Sequence, residues 1–302
     1  MVNELGLAEI IARYNDDDKA RELLERLRWP KGPKCPHCGS KKAYRLAQKE
    51  GSREPGRKGL LKCKNCRKQY TITVNTIFEG SHIKLNKWLM AVHLFCASKK
   101  GISAHQLHRM LGITYKTAWF MAHRIRYAMT QSPLKEKLGG IVEADETYVG
   151  GKGRGKRGRG AEKKTAVFSL VERNGCVRSR PVQNVSGPTL KQIMFENIDP
   201  KAIVMTDEFP SYRGIKKQFA GHEVIEHGKK EYVRGTVHVN TAEGFFSLLK
   251  RGIAGTFNHV SRHHLHRYCN EFDFRYNFRK VNDAMRSAIL INNVGGKRLR
   301  YA

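Results

Sequence analysis

The chain has 302 residues, and its 57 Lys and Arg side chains against 27 Asp and Glu side chains give a formal charge of +30. So strong a positive charge predicts a polyanionic partner, and nucleic acid is the simplest one. No apolar run approaches the roughly 20 residues of a membrane span, and the first 30 residues lack the apolar core of a signal peptide. We therefore expect an intracellular protein of about two domains, with no membrane partner.

The N-terminal 30 residues predict a helical segment, in which residues 16–29 carry Ala and Leu at three- and four-residue spacings. Two CxxC pairs follow, Cys35 with Cys38 and Cys63 with Cys66, separated by 24 residues. Each pair supplies two thiolates from a tight turn, and four thiolates complete a tetrahedral zinc site. The alternative, two redox pairs, lacks the βαβ pattern expected around such a motif. We predict a zinc ribbon over residues 31–80 that holds one structural zinc ion.

Residues 81–132 predict a helical DNA-binding region. Ser103 and Thr114 are placed to cap its second and third helices, and a break at Gly112 separates these two as in a helix-turn-helix. The second helix of such a motif enters the major groove of DNA. Its basic residues, which we expect to contact DNA, are Lys116, Arg124 and Arg126. The alternative is a plain three-helix packing unit without a DNA contact.

Residues 138–290 predict the larger domain, which begins with a strand over residues 141–149. The segment that follows, 150–164, consists mainly of Gly, Lys and Arg and is too poor in apolar groups to bury a core. It is either a loop that contacts DNA phosphates or a solvated hairpin. The candidate DNA contacts in this segment are Lys152, Arg154, Lys156, Arg157 and Arg159.

The remainder of this domain predicts a mixed α/β fold. The expected elements are strands at 165–172, 177–185 and 202–206, a weaker strand near Val224, and helices at 188–196, 241–251 and 262–279. A strand-rich first half followed by alternating strands and helices is typical of a mixed sheet flanked by helices. Residues 291–302 form a basic tail.

Three acidic residues occupy ordered positions in this domain: Asp145 in a strand, Asp207 at the end of another strand, and Glu243 on a helix. Two or three carboxylates with phosphate oxygens suffice to hold Mg²⁺, and two such ions catalyse in-line displacement at phosphorus. Taken singly, each residue also has an ordinary interpretation, as a helix cap or a surface acid. Strand alternation puts Glu143 on the face of Asp145, as a possible auxiliary ligand, and points Glu146 away.

The order of these features resembles the ISXO-like insertion-sequence transposases of the DDE superfamily. The resemblance is carried by the zinc ribbon, the helix-turn-helix and the motifs VEADETYVGG at 142–151, MTDE at 205–208 and HVNTAEGFFSLLK at 238–250. It covers nearly the whole chain and implies an RNase H-like catalytic domain. It also implies two catalytic Mg²⁺ ions, for which Mn²⁺ can substitute, and DNA cleavage and strand transfer without a covalent protein intermediate.

Within this resemblance, Asp145 corresponds to the first carboxylate, expected to touch both ions, and Asp207 to the second. Glu243 corresponds to the third, and Lys250 to the basic residue that acts on DNA near the scissile phosphate, with Arg251 as a further DNA contact. Some relatives use Asn as the third residue, which leaves Asn240 open. We prefer Glu243 because of its charge and its spacing to Lys250.

The resemblance further implies a function. A transposase of this kind would bind the terminal inverted repeats of its element through residues 30–130, with double-stranded DNA as substrate and target. It would act as a homodimer or larger assembly, in the cytoplasm of a prokaryotic cell and in association with the nucleoid. Two alternatives remain: a DNA-binding regulator derived from a transposase, and an RNase H-like nuclease that does not transfer strands.

Overall fold

The computed structural model of the chain describes residues 5–46, 58–130, 136–151 and 163–300. In chain order the helices and strands are α1 Leu7–Arg13, α2 Asp17–Arg28, β1 Ala43–Arg45, β2 Leu61–Cys63, β3 Gln69–Tyr70, α3 Leu85–Ala97, α4 Ala104–Leu111, α5 Tyr115–Met129, β4 Ile141–Gly150, β5 Lys164–Glu172, β6 Val177–Val182, α6 Gly187–Asn197, β7 Ile203–Asp207, β8 Gly221–Ile225, α7 Asn240–Gly252, α8 Leu265–Asn277 and α9 Asp283–Asn292. Among the described residues, no helix has both the length and the apolar character needed to cross a membrane.

The chain forms two compact units, residues 1–129 with 281–302, and residues 130–280. This division differs from the predicted domains, because the ribbon and the helical region share one unit and α9 belongs to that unit. Helix α9 packs on α3. Its Arg286 donates a hydrogen bond of 2.6 Å to the carbonyl oxygen of Cys96, and Lys297 donates one of 2.9 Å to that of Ala128. These contacts hold the C-terminal segment within the first unit.

In the first unit, the predicted helix caps are confirmed. The Ser103 hydroxyl accepts a hydrogen bond from the Gln106 N–H, 3.1 Å, at the start of α4. The Thr114 hydroxyl accepts one from the Thr117 N–H, 3.2 Å, at the start of α5. Between the two helices, Gly112 adopts the left-handed conformation, φ +57°, that ends α4. Helices α4 and α5 pack on each other as in a helix-turn-helix.

The second unit is built on a five-stranded sheet with the strand order β6-β5-β4-β7-β8. Strands β4, β5 and β6 pair antiparallel, whereas β7 and β8 run parallel to β4. This order and these directions are those of an RNase H-like fold, so the predicted fold class is confirmed.

Helices cover both faces of this sheet. On one face, Val142 and Ala144 pack in a cluster with residues of α6. On the other face, Val149 packs with Phe245 of α7 and Cys269 of α8 in a second cluster. Because successive side chains of a strand point to opposite faces, the odd-numbered residues of β4 face α7 and α8.

Candidate active site

Asp145 and Asp207 lie level with each other on neighbouring parallel strands. The pairing of β4 with β7 ends at Glu143 opposite Met205, and the same register extended by two residues sets Asp145 opposite Asp207. Adjacent strands are about 4.8 Å apart. Both side chains project from the face of the sheet that α7 and α8 cover. The charge of Asp207 also affects the pKa of Asp145, and a metal site shared by these two carboxylates stays a prediction.

Negative charge is concentrated at this position. Burial, together with the charges of Asp207, Glu146 and Glu243, raises the pKa of Asp145 to about 8, against the effect of a 2.7 Å hydrogen bond from the Glu146 N–H. Burial also raises the pKa of Asp207, although the Phe209 N–H donates to its Oδ1 at 3.0 Å and acts in the opposite direction. Crowded, partly desolvated carboxylates of this kind favour a bound cation.

Glu243 lies in the first turn of α7, exposed, and close enough to affect the pKa of Asp145. Lys250 is exposed two turns further along the same face, about 10.5 Å away along the helix axis. Arg251, next to it, is exposed, and its Nε donates to the Ser247 carbonyl oxygen at 3.1 Å. Asn240, the open alternative, is the exposed first residue of α7.

Glu143 is not available as an auxiliary metal ligand, because the protein uses its carboxylate. The side chain is 0% exposed. Its Oε2 accepts hydrogen bonds from the backbone N–H groups of Thr241 at 2.8 Å and Ala242 at 2.9 Å. Its Oε1 accepts from the Thr241 hydroxyl at 2.8 Å and from Nε of Arg173 at 2.6 Å. The carboxylate thus binds the beginning of α7.

Arg173 is a residue that sequence reasoning missed. It follows β5, outside every motif. Besides Glu143, its guanidinium donates to the carbonyl oxygens of Thr236 at 2.7 Å and His238 at 2.9 Å. The Nδ1 atom of His238 lies 3.0 Å from Nη2 of Arg173. His238 therefore belongs to the connection between the sheet and α7.

Glu146 lies on the opposite face of the sheet, as strand alternation predicts. Its Oε2 accepts a hydrogen bond of 2.6 Å from the Tyr212 hydroxyl. Tyr212 is buried in the cluster that contains residues of α6. Glu146 affects the active-site carboxylates through its charge and through its backbone N–H.

The predicted DNA contacts of the helix-turn-helix differ in exposure. Lys116 is exposed near the start of α5. Arg124 is half-buried and donates to the carbonyl oxygens of Ile77 at 3.2 Å and Glu79 at 3.1 Å. Arg126 is 2% exposed, with its guanidinium 5.3 Å from the ring centroid of Phe95. The prediction of a DNA contact for Arg126 is therefore wrong, because this side chain is part of the core.

Five other predicted contacts lie outside the described residues. They belong to the segment 152–162, and they are Lys152, Arg154, Lys156, Arg157 and Arg159.

The four predicted zinc ligands come together in the first unit. Among the described residues, the sulfur atoms of these four cysteines all lie within 4.8 Å of one another, close enough to hold one metal ion. Cys35 Sγ is 3.7 Å from Cys66 Sγ, and Cys38 Sγ is 3.6 Å from Cys63 Sγ. A tetrahedron with Zn–S bonds of about 2.3 Å has edges of about 3.8 Å. The cluster therefore fits a zinc ion.

The two knuckles have similar backbones. The Gly39 N–H donates to the Cys35 carbonyl oxygen, and the Arg67 N–H donates to that of Cys63. Both Gly39 and Arg67 have a positive φ, +74° and +60°. In the second knuckle, hydrogen bonds from the N–H groups of Cys66 and Asn65, with those of neighbouring thiols, lower the pKa of the Cys63 thiol to about 6, whereas burial and the neighbouring thiols raise the pKa of Cys38 to about 11. At Cys63 the thiolate, the form that binds metal, is thereby favoured.

Comparison with known proteins identifies relatives of both units. Residues 137–277 match the ISXO2-like transposase domain, and residues 15–69 match the transposase zinc-ribbon domain. An uncharacterized protein in transposable element ISH50 of Halobacterium salinarum is 31% identical over 298 residues, 93% of this chain and 98% of the relative. An uncharacterized transposase-like protein of Haemophilus influenzae is 30% identical over 110 residues, 36% of this chain and 85% of the relative.

Among solved structures, a pre-cleavage Mos1 transpososome matches with a TM-score of 0.22 and 12% identity, covering 64% of this chain and 74% of the other.

Proposed function

We propose that this chain, which belongs to the ISXO2-like transposase family, binds the terminal inverted repeats of its insertion sequence and cleaves DNA at each end. The 3′-hydroxyl released at each end would then attack target DNA. The observation that carries this proposal is the position of Asp145 and Asp207, level on one face of the sheet, with Glu243 near enough to raise the pKa of Asp145.

Asp145, Asp207 and Glu243 would hold two Mg²⁺ ions. Carboxylate oxygens are the ligands that Mg²⁺ prefers, and a divalent cation would offset the burial and the repulsion that together raise the pKa of Asp145. Asp145 is affected by the charges of both Asp207 and Glu243 and would contact both ions. When bound, the ions activate the attacking oxygen and stabilise the leaving one. Mn²⁺ has similar ligand preferences and would substitute.

The remaining work of the protein is to position DNA. The attacking oxygen comes from water in the first step and from the DNA 3′-hydroxyl in the second, so no side-chain nucleophile is needed. Lys250 is exposed on the face of α7 that carries Glu243 and would contact a phosphate near the scissile bond. Arg251 would contact the DNA beside it.

The first unit would select the DNA. A structural zinc ion held by the four cysteines would fix the two knuckles relative to each other. Helix α5 would enter the major groove with the exposed Lys116 at its beginning. The net charge of +30 would add salt-dependent attraction to any DNA. Because two ends must be processed together, we expect a homodimer or larger assembly.

The proposal can be tested with duplexes that carry the inverted repeats flanking the gene. With Mg²⁺, we expect the protein to cut these ends and to join pre-cleaved ends to target DNA. Asp145→Asn should bind the ends but neither cut nor join them. Glu208→Gln is the matched control, because this neighbouring carboxylate accepts from the N–H groups of His227 and Gly228 instead and should leave activity intact.

Three results would overturn the proposal. If the wild-type protein binds the ends without cutting them, it is a regulator. If it cuts but never joins, it is a nuclease. If Asp145→Asn cuts as fast as the wild type, the reaction takes place elsewhere in the chain.

A further inference from the structure

A cavity of about 310 Å³ lies in the second unit beside the proposed active site. It opens where β4 and α7 end, and Lys164, Lys250, Asn258 and His259 contribute to its lining. None of the described residues that line it is acidic. Lys164 and Lys250 form no ion pair with any carboxylate in the part of the chain that the structure describes. The cavity is therefore a basic site, and no carboxylate of the described residues pairs with its lysines.

The backbone around this cavity is unusual on both sides. On the sheet side, Gly150 has φ +153°, and a Cβ added there would lie 2.2 Å from the carbonyl oxygen of Lys163. On the helix side, α7 continues into a π-helical turn, Ile253–Phe257, which ends at Asn258 with φ +59°. Turns of this kind occur frequently at functional sites, and a non-glycine residue with positive φ is uncommon.

The chemistry of the lining matches a phosphate group. Two ammonium groups provide point charges with several donors each, and the imidazole of His259 can donate a further N–H. Lys250 and His259 are exposed, and Lys164 is half-exposed. An anion that enters the cavity would meet these donors, and no described carboxylate lines the cavity to repel it.

The position of the cavity indicates which phosphate it would take. Lys250 lies about 10.5 Å along α7 from Glu243. For a DNA strand that runs parallel to α7, with a rise of about 3.4 Å per nucleotide, this distance corresponds to about three nucleotides. We propose that Lys164, Lys250 and His259 bind one backbone phosphate of the DNA, about three nucleotides from the scissile phosphate. This inference rests on the proposed function and adds Lys164 and His259 to its machinery.

A neutral-phosphate scan tests this inference. End duplexes are prepared with a single methylphosphonate at each position in turn, and cleavage is measured for the wild type, Lys164→Ala and His259→Ala. In the wild type, one position about three nucleotides from the cut should slow cleavage on the order of tenfold, as expected for losing charge-assisted hydrogen bonds. In the two variants, cleavage should be slow already, and the same methylphosphonate should have no further effect.

Lys201→Ala is the matched control, because this exposed lysine precedes β7, at the end opposite Asp207. In this variant, each methylphosphonate should change the cleavage rate as it does in the wild type. If the methylphosphonate also slows cleavage by Lys164→Ala and His259→Ala as much as it does in the wild type, the cavity does not bind the phosphate. If the wild type neither cuts nor joins any duplex, the proposed function itself fails, which is a distinguishable result.

A separate set of contacts supports a second inference, about the placement of Glu243. The residue before α7, Val239, provides no side-chain cap. Glu143 supplies it instead, since its buried carboxylate accepts the N–H groups of Thr241 and Ala242. A negative charge at a helix N-terminus is favourable. Glu143 is two residues from Asp145 and binds the turn that contains Glu243, so one side chain joins the two elements that carry these carboxylates.

Arg173 completes the connection. It donates to Glu143 at 2.6 Å and to the carbonyl oxygens of Thr236 and His238, in the segment that leads into α7. We infer that Glu143 and Arg173 are positioning residues, which hold Glu243 at the distance from Asp145 that the metal ions require. This inference also rests on the proposed function.

The readout is the Mg²⁺ concentration that gives half-maximal cleavage. Glu143→Gln preserves the shape of the side chain but removes its charge, and we expect this concentration to rise about tenfold, as for other residues that orient metal ligands. Arg173→Lys should raise the Mg²⁺ concentration for half-maximal cleavage less than Glu143→Gln does. Because both are measured on cleavage at saturating DNA, weaker DNA binding cannot produce the shift.

Asp273→Asn is the control for a purely structural effect. Asp273 is a buried carboxylate of the same unit that accepts hydrogen bonds from the Ser179 N–H and hydroxyl, 2.8 and 2.6 Å. The Asp273→Asn variant should have a lower melting temperature and an unchanged Mg²⁺ requirement. If Glu143→Gln and Arg173→Lys also leave that requirement unchanged, or if Asp273→Asn raises it equally, the positioning role is refuted. Failure of the wild type to need Mg²⁺ would instead refute the proposed function.

Discussion

Asp145 is aligned with Asp207 by the register of the parallel strands β4 and β7, whose pairing ends two residues earlier with Glu143 opposite Met205. A parallel register carries its alignment along both strands, so the two carboxylates share a face and a level although 61 residues separate them in the chain. Burial raises the pKa of Asp145, and the negative charges of Asp207 and Glu243 act in the same direction. The predictions below follow from this arrangement and from its surroundings.

The first prediction concerns stability and pH without divalent ions. The pKa of Asp145 is about 8 in the folded protein and about 3.9 when unfolded. Between these values only the folded state holds the proton, so wild-type stability should fall as pH rises from about 4 to 8. Asp145→Asn does not titrate at this position, and its stability should fall less. Urea denaturation with a chelator at pH 5 and pH 9 measures the difference, and equal losses for the two proteins would contradict the prediction.

Mg²⁺ should act in the opposite direction on the wild type. A ligand that binds only the folded state stabilises it, so adding Mg²⁺ at pH 8 should raise the melting temperature of the wild type. Asp145→Asn, which lacks the central charge, should respond little. An equal rise for both proteins would place the bound ion elsewhere.

Gly150 and Gly151 provide a matched pair. Gly150→Ala should destabilise the protein by about 1 to 3 kcal/mol, because its φ of +153° and the approach of the Lys163 carbonyl oxygen leave no room for a Cβ. Gly151→Ala should be tolerated, since nothing lies within 4 Å of an added Cβ there. Thermal unfolding of both variants is the measurement, and similar losses at the two positions would refute the explanation.

Lys116 and Arg126 should behave differently in DNA binding. Lys116→Ala removes an exposed charge from α5, so the slope of log affinity against log salt should decrease by about 1. Arg126→Ala removes a buried side chain that lies over the ring of Phe95. It should lower stability by about 1 to 3 kcal/mol and leave the slope unchanged. A reduced slope for folded Arg126→Ala would contradict its burial.

Zinc removal should affect recognition before catalysis. Cys63→Ser, or a strong chelator, should abolish specific binding of the element's ends while salt-sensitive binding to any DNA survives. Cys176→Ser is the control, because this half-buried cysteine belongs to the second unit and lies outside the cluster. Zinc content and end binding are measured together. Unchanged specificity in zinc-free protein would exclude the proposed role of the ribbon.

The sequence was sufficient for features that depend on local chemistry. The cysteine spacing predicts the cluster, and Ser103 and Thr114 predict the helix caps. Alternation along β4 correctly separates Glu143 from Glu146. In each case, a short-range pattern has one dominant physical solution.

Features that depend on distant partners could not be predicted. Arg126 looks like a groove contact because α5 is basic, but α3, α4 and α9 all pack on α5 and leave little of it exposed. Helix α9 comes from the far end of the chain and carries no motif. Glu143 accepts hydrogen bonds from Arg173 and Thr241. These two partners likewise come from segments that alternation along one strand does not reveal.

The central claim is that Asp145, Asp207 and Glu243 share a pair of divalent ions. Anomalous diffraction from crystals grown with Mn²⁺ tests it most directly. We predict two peaks about 3.5 to 4 Å apart, both within bonding distance of Asp145, one next to Asp207 and the other next to Glu243. Absence of manganese from this position, or a Glu243 carboxylate that stays away from both ions with DNA bound, would contradict the account.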